Sequence, residues 1–279
     1  MQNVIFVKLG GGLITDKQRP FVARRSVIRR LALEIKWAMK GSNFSLIVGH
    51  GSGSFGHSVA AKYKTQEGVK DNDSVWGVSE VSDAAIKINR VVMGEFLKAG
   101  LAVVSFAPKS FLLAQSGKVE EIFERPLVEA LELGLIPVVY GDVVMDTDKG
   151  CGIFSSERII RELATRLPLG FGVEKIVYCG NTDGVYSKEN QTIPVINPKI
   201  FKTIRNLLGG SDAVDVTGGM LHKVNEALET ARRTRSRVII MNGLKAGNLQ
   251  RAIKKNLYQR LLPEATTVLV QKDILQTSL

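Results

Sequence analysis

Cysteine, histidine and aromatic side chains are scarce in this chain of 279 residues, which holds two cysteines, three histidines and 6% aromatics. Cys151 and Cys179 stand in no metal-ligand spacing, and a reducing compartment fits them best. No HExxH pattern and no zinc cluster is present, and the Walker pattern GxxxxGK[ST] is missing. No run approaches the roughly 18 apolar residues of a membrane span. The N-terminus enters a strand-like run with no basic, apolar leader, so the expectation is a cytoplasmic protein without membrane association. Internal repeats, low-complexity tracts and flexible linkers are also lacking.

What is there is ordinary globular composition, 44% hydrophobic and 23% charged, enough for one large α/β domain or two fused lobes. The net charge is +11. Nucleic acid is one partner that such a balance fits. The basic clusters at Arg24-Arg25, Arg29-Arg30 and 232–237, however, fall on or beside predicted helices, where a solvated face is the simpler explanation. Attraction of small anionic substrates requires no further partner.

Strand-like runs at 4–9, 45–48, 102–106, 136–139, 175–178 and 237–241 are short, β-branched and bounded by Gly, Pro or polar residues. Between them, apolar residues recur at helical spacing: Ile28, Leu31, Ile35 and Ala38; Ile88, Val92, Phe96 and Ala99; Ile159, Leu163 and Leu167; Leu221, Val224, Leu228 and Ala231. The alternation predicts an αβα sandwich around a mostly parallel sheet, with ligands beyond the carboxyl ends of the strands. Asp146-Thr147-Asp148-Lys149-Gly150 is turn chemistry and predicts a hairpin over 143–153. Pro168 and Gly170 mark an expected boundary between lobes of about 1–170 and 171–279 within a single domain of 1–279.

Two Gly-rich turns carry the chemistry. Gly49-His50-Gly51-Ser52-Gly53-Ser54-Phe55-Gly56-His57 follows the apolar run 44–48, and Gly10-Gly11-Gly12 follows the run that contains Lys8. Glycines let backbone N–H groups approach a ligand closely, and successive N–H groups form an anion seat. His57 adds a side chain able to carry charge near neutrality. Asp215-Val216-Thr217-Gly218-Gly219-Met220-Leu221-His222-Lys223 places two glycines at the start of a predicted helix, whose N-terminus favours anions. Lys8 and Lys223 are expected at surface-facing ends of elements. Asn181-Thr182-Asp183-Gly184 is compatible with a turn or with nucleotide contact.

Lys8-Leu9-Gly10-Gly11, the second Gly-rich turn, Asp183-Gly184-Val185 and the segment 215–223, in this order, resemble the amino acid kinase superfamily over residues 1–245. Thr15-Asp16-Lys17, the His57-terminated loop, Gly141-Asp142-Val143-Val144 and Asp215-Val216-Thr217-Gly218-Gly219-Met220 are similar to its isopentenyl phosphate kinases. The resemblance implies an amino acid kinase-like fold and ATP-dependent transfer of a phosphoryl group to a small phosphate, with Mg²⁺ held mainly by the nucleotide and no protein metal site. It also implies a homodimer. Carried over, Lys8 and Lys223 hold the ATP phosphates and Lys17 reaches the phosphoryl in flight. His57 binds the acceptor phosphate with help from Ser52 and Gly56. Gly10, Gly11, Gly53 and Gly219 line the nucleotide phosphates, and Asn181 and Asp183 sit near the nucleoside.

Three departures accompany it. Ser52 interrupts a three-glycine run, Asn181 replaces an aspartate, and Ser155-Ser156-Glu157 replaces Ser-Gly-Asp. Glu157 is therefore expected to orient the lysines, with Ser156 on the acceptor side. Phe154-Ser155-Ser156-Glu157-Arg158 is also similar to fosfomycin kinase, which leaves a phosphonate acceptor open. A nucleotide- or RNA-binding regulator is the non-enzymatic alternative. A prenyl tail would need an apolar pocket, expected between a helix after His57 and a helix over 82–99, with Ile86, Val92, Met93 or Phe111 as lining.

Overall fold

The structure, a computed structural model, describes residues 1–208, 219–254 and 264–270. Strand β1 (Gln2–Leu9) leads through a single helical turn, α1 (Gly11–Ile14), into α2 (Arg25–Met39) and strand β2 (Phe44–His50). Helix α3 (Gly53–Tyr63) and the long α4 (Asn72–Lys98) follow, then β3 (Val103–Ser105). The hairpin β4 (Leu112–Gln115) and β5 (Lys118–Ile122), α5 (Arg125–Glu132) and β6 (Ile136–Tyr140) come next. A second hairpin, β7 (Asp142–Asp146) and β8 (Gly150–Phe154), precedes α6 (Ser156–Thr165) and the ten-residue strand β9 (Phe171–Gly180). The rest comprises β10 (Val195–Ile196), α7 (Pro198–Leu208), α8 (Gly219–Thr234), β11 (Arg237–Asn242), α9 (Asn248–Lys254) and β12 (Ala265–Val268).

Eight strands form one sheet in the order β10-β12-β11-β9-β1-β2-β6-β3. The six central and distal strands from β11 to β3 run parallel, and β12 turns antiparallel against β11. All six strand runs expected from sequence are in it, and the sheet crosses position 170 without a break, because β9 pairs directly with β1. A smaller sheet, β5-β4-β7-β8, contains the expected hairpin with Val143 opposite Ile153. Its β4–β5 half escaped the sequence reading because Lys118–Ile122 carries three charged, exposed residues, without strand alternation, and looks like loop. The turn between them, Ser116-Gly117, has φ of 48° and 75°, the left-handed geometry of a tight hairpin turn.

Two apolar layers cover the large sheet. Ile5, Val7, Leu46 and Val48 point toward α2, α4 and α9, with Ile28, Leu31, Ile35, Ile88, Val92 and Phe96 opposite them. Val4, Phe6 and Ile47 point the other way, toward α6, α8 and the small sheet. Strand alternation thus assigns each residue of β1 and β2 to one layer or the other. Helix α4 starts ten residues earlier than the apolar periodicity indicates, at a capping box in which Asp71 accepts from the Ser74 N–H at 2.8 Å. Among the described residues no helix is long and apolar enough to cross a membrane.

Candidate active site

Lys8 lies one residue from the carboxyl end of β1 and shares the face of Val4 and Phe6. It therefore projects toward the start of α6, where its Nζ pairs with Glu157. This corrects the expectation of a surface-facing lysine: Lys8 is 8% exposed. Burial alone would push the Glu157 carboxyl up. The Lys8 ammonium overcomes that, aided by the Glu157 backbone N–H and the Ser156 hydroxyl, and holds the acid below the usual carboxylate range. Ser156 Oγ lies 3.3 Å from Glu157 Oε2 and is buried. Ser155 caps α6 by accepting from the Arg158 N–H at 3.3 Å, and the helix N-terminus favours the Glu157 charge. The result is a fixed, buried cation at the rim of the sheet.

The two Gly-rich turns meet backbone to backbone directly above. A Cβ on Gly11 would lie 2.5 Å from the Gly53 nitrogen, and one on Gly51 would lie 2.8 Å from the Gly11 nitrogen. Gly53 has φ of +52°, and a Cβ there would fall 2.1 Å from Thr15 Oγ1. Only glycine meets both demands. Thr15, which sequence reasoning quoted without a role, joins the turns: its hydroxyl donates to the Gly11 carbonyl at 2.8 Å and accepts the Ser54 N–H at 3.0 Å. Gly10 is tied to β9 through its N–H to the Cys179 carbonyl, and Gly51 to β1 through its N–H to the Leu9 carbonyl.

Ser52, the departure within the glycine run, donates its hydroxyl to the Gly141 carbonyl at 2.7 Å. Gly56 lies on α3 just inside it, where a Cβ would approach Ser52 Cβ to 2.8 Å. His57 stands exposed within α3, which begins at Gly53 and so contains the histidine that was expected to precede it. Gly49 lets α6 approach: its Cβ would meet Ile160 Cδ1 at 2.6 Å. His50, on the opposite face to Lys8, is fully buried, stacked on Tyr140 at 5.5 Å between centroids. Burial keeps its pKa below the usual histidine value, so the ring is neutral near pH 7.

Lys17 is exposed and folds its chain over Gly12, whose Cβ position lies 2.7 Å from Lys17 Cε. Asn181 joins them, donating to the Gly12 carbonyl at 3.1 Å. Asp183 accepts from Asn242 at 3.1 Å and from Lys245 Nζ at 3.0 Å, two partners that sequence reasoning missed. Gly219 opens α8, and Lys223 is half-buried one turn along it. The preceding Asp215-Val216-Thr217-Gly218 lies outside the described residues.

The structure thus brings together Lys8 with Ser156 and Glu157, Gly10–Gly12 with Gly51–Gly53, and Lys17 with Asn181, all at the carboxyl edge of the parallel strands. A cavity of about 810 Å³ opens at the other edge, beside Met1, Phe44, Phe171 and Arg235, and none of these site residues lines it. Of the expected tail-pocket residues, Val92 and Met93 are buried in the α3/α4 layer. Ile86 is 38% exposed, and Phe111 belongs to the opposite layer under the small sheet, so neither lies between α3 and α4.

The family model of the amino acid kinase family matches residues 3–242. The chain is 32% identical over 255 residues to isopentenyl phosphate kinase of Methanocaldococcus jannaschii, spanning 88% of this chain and 94% of that protein. It is 32% identical over 263 residues to isopentenyl phosphate kinase of Methanothermobacter thermautotrophicus, spanning 90% and 95%. A solved isopentenyl phosphate kinase structure superposes with a TM-score of 0.77 at 28% identity, over 95% of this chain and 99% of that one.

Proposed function

From the premise that the chain belongs to the amino acid kinase family, we infer that it transfers the terminal phosphoryl group of ATP to isopentenyl phosphate, giving isopentenyl diphosphate. The observation that carries it is the interlocked pair of Gly-rich turns above a buried Lys8–Glu157 pair. Two N–H-rich seats in van der Waals contact suit two phosphate-bearing ligands that react with each other. The fosfomycin-like and regulatory alternatives are not favoured, since relatives at 31–32% identity are isopentenyl phosphate kinases.

An oxygen of the acceptor phosphate attacks the terminal phosphorus of ATP, and the bond to the ADP oxygen breaks. The acceptor oxygen is already anionic, so no strong base is required. The task is to hold two polyanions in line and offset their repulsion. Lys8, fixed by Glu157, and Lys223 hold the ATP phosphates along the turns of Gly10, Gly11, Gly53 and Gly219. Lys17 follows the transferred group. His57, with the backbone of Ser52 and Gly56 and with Ser156 nearby, seats the acceptor phosphate. Asn181 and Asp183 border the nucleoside. Bound Mg²⁺ supplies further charge neutralisation on the ATP oxygens. The acceptor side falls in about 1–170 and the nucleotide side in about 171–279. A homodimer completes the proposal, as does a cytoplasmic location, which agrees with two free, buried cysteines.

The test is ATP consumption with isopentenyl phosphate, dimethylallyl phosphate, geranyl phosphate, fosfomycin and UMP. The highest kcat/KM is expected on isopentenyl phosphate. A preference for fosfomycin or UMP would overturn the acceptor, and no turnover on any of them would overturn the activity.

A further inference from the structure

His50 is fully buried at the last position of β2 and cannot reach a ligand, yet an imidazole there costs free energy that a phenylalanine would not. Both its nitrogens are engaged. Nδ1 lies 3.2 Å from the Gly51 carbonyl oxygen, and Nε2 lies 3.1 Å from Oδ1 of the buried Asn89 on α4. The Asn89 amide nitrogen is placed 2.7 Å from Ser105 Oγ, to which it donates. A carbonyl only accepts, so Nδ1 carries the proton. A neutral ring then has a lone pair at Nε2, which the Asn89 amide meets once its oxygen and nitrogen are exchanged, so that its NH₂ donates to Nε2 and its oxygen accepts from the Ser105 hydroxyl.

The bond to Gly51 controls a neighbour. The Gly51–Ser52 peptide is trans, since the described backbone has no cis bonds. In a trans peptide the carbonyl and the following N–H point in opposite directions. With the Gly51 carbonyl turned inward to His50, the Ser52 N–H must turn away from the buried ring. Among the described residues no protein acceptor takes that N–H. The other ties on the loop do not set this plane. Ser52 Oγ is held by the Gly141 carbonyl, and the Gly141 N–H by the His50 carbonyl. Gly51 has no Cβ, so no side chain of its own holds the 51–52 peptide.

We propose that His50, supported by Asn89, is a positioning residue that fixes the Gly51–Ser52 peptide so that the Ser52 N–H is presented to the acceptor phosphate. The proposal rests on the kinase function inferred above. It assigns the first histidine of the loop a task distinct from that of His57: His57 touches the acceptor, while His50 aims a backbone donor at it. It also connects the phosphate seat to α4 through Asn89, along the helix that carries Val92 and Met93.

The test compares His50→Phe, which keeps the ring volume and the stack on Tyr140 but has no donor, with His50→Asn, whose amide nitrogen reaches the position of Nδ1. His50→Phe is expected to lower kcat/KM for isopentenyl phosphate roughly tenfold or more, with the ATP KM changed less than about twofold. His50→Asn is expected to recover most of that loss. A merely structural histidine would lower thermal stability in both variants and shift both substrates' constants together. Parental acceptor constants in His50→Phe, or equal impairment of the two variants, would overturn the proposal. If His50→Phe fails to fold, Asn89→Leu is measured instead: a raised acceptor KM supports the proposal and an unchanged one refutes it. Calorimetric titration with inorganic phosphate separates the two inferences. A parent protein that turns over no acceptor refutes the kinase function. Weaker phosphate binding by His50→Phe than by the parent would still support the role of His50, and equal binding would refute it.

Discussion

Gly11→Ala tests the contact on which the site is built. The added methyl carbon would lie 2.5 Å from the Gly53 nitrogen and 2.7 Å from its Cα, both backbone atoms that no rotamer change can move aside. Ordinary carbon contacts begin near 3.5 Å, so the two turns must separate by roughly 1 Å. Overpacking of this kind costs about 1–3 kcal/mol. At about 2–4 °C per kcal/mol for a chain of this size class, Tm should fall by roughly 2–12 °C, and the protein should remain folded at 25 °C. Catalysis should suffer more than stability. Each ligand still finds its own seat, but the seats are misplaced relative to each other by about 1 Å, which in oriented reactions costs on the order of a hundredfold. The assay is the initial rate with ATP and isopentenyl phosphate both saturating, beside thermal unfolding followed by circular dichroism. The expected pattern is a kcat loss near a hundredfold with KM values changed only a few-fold. A control is Gly94→Ala on α4, whose Cβ would meet nothing within 4 Å. It should be stabilising by about 0.4–1 kcal/mol with parental activity. A folded Gly11→Ala protein with kcat within about threefold of the parent would refute the reasoning that the two turns set the reaction distance.

Three further outcomes are expected. Glu157→Gln leaves the buried Lys8 beside a neutral amide and should lower kcat roughly tenfold or more, with Glu157→Asp recovering part of it; unchanged constants for both substrates would reduce Glu157 to a helix-start charge. His57→Ala should raise the acceptor KM on the order of tenfold while the ATP constant stays put, and His57→Gln should restore part of the affinity, so an unchanged acceptor KM would remove the phosphate-seat role. The Glu162 carboxyl, which accepts from Arg233 at 2.6 Å and also pairs with Arg166, is drawn down from about 4.5 to about 2 against the opposing effect of its burial. A depressed carboxylate stabilises the folded state above its unfolded pKa and loses that contribution as pH falls through the folded value. Acid titration of stability should therefore show a loss between about pH 4.5 and 2 that Glu162→Gln makes smaller; an identical acid limb in the variant would contradict the pairing.

The sequence by itself determined the layered α/β architecture, because period-2 and period-3.6 patterns report which face of each element is dry. It also placed the Gly-rich runs Gly10-Gly11-Gly12 and Gly51-Ser52-Gly53 at strand ends, where the structure has them. The hairpin over 143–153 was legible from its turn residues alone. What only the tertiary structure decided were relations between residues far apart in the chain. Lys8 and Glu157 are 149 positions apart; the resemblance implied that Glu157 orients the lysines, but nothing local says that Lys8 is buried against it. Thr15 looked like part of a loop until it was seen bridging Gly11 and Ser54. His50 and Asn89 meet because strand alternation turns His50 toward α4, and Asn89 sits among apolar neighbours that read as plain core. Phe111 went to the opposite layer because an apolar side chain is equally at home in either, and Ile86 lies exposed on α4, which composition does not say. Local propensity is encoded in neighbouring residues, whereas the partner of a buried polar group is chosen by the crossing of elements, which no short window of sequence contains.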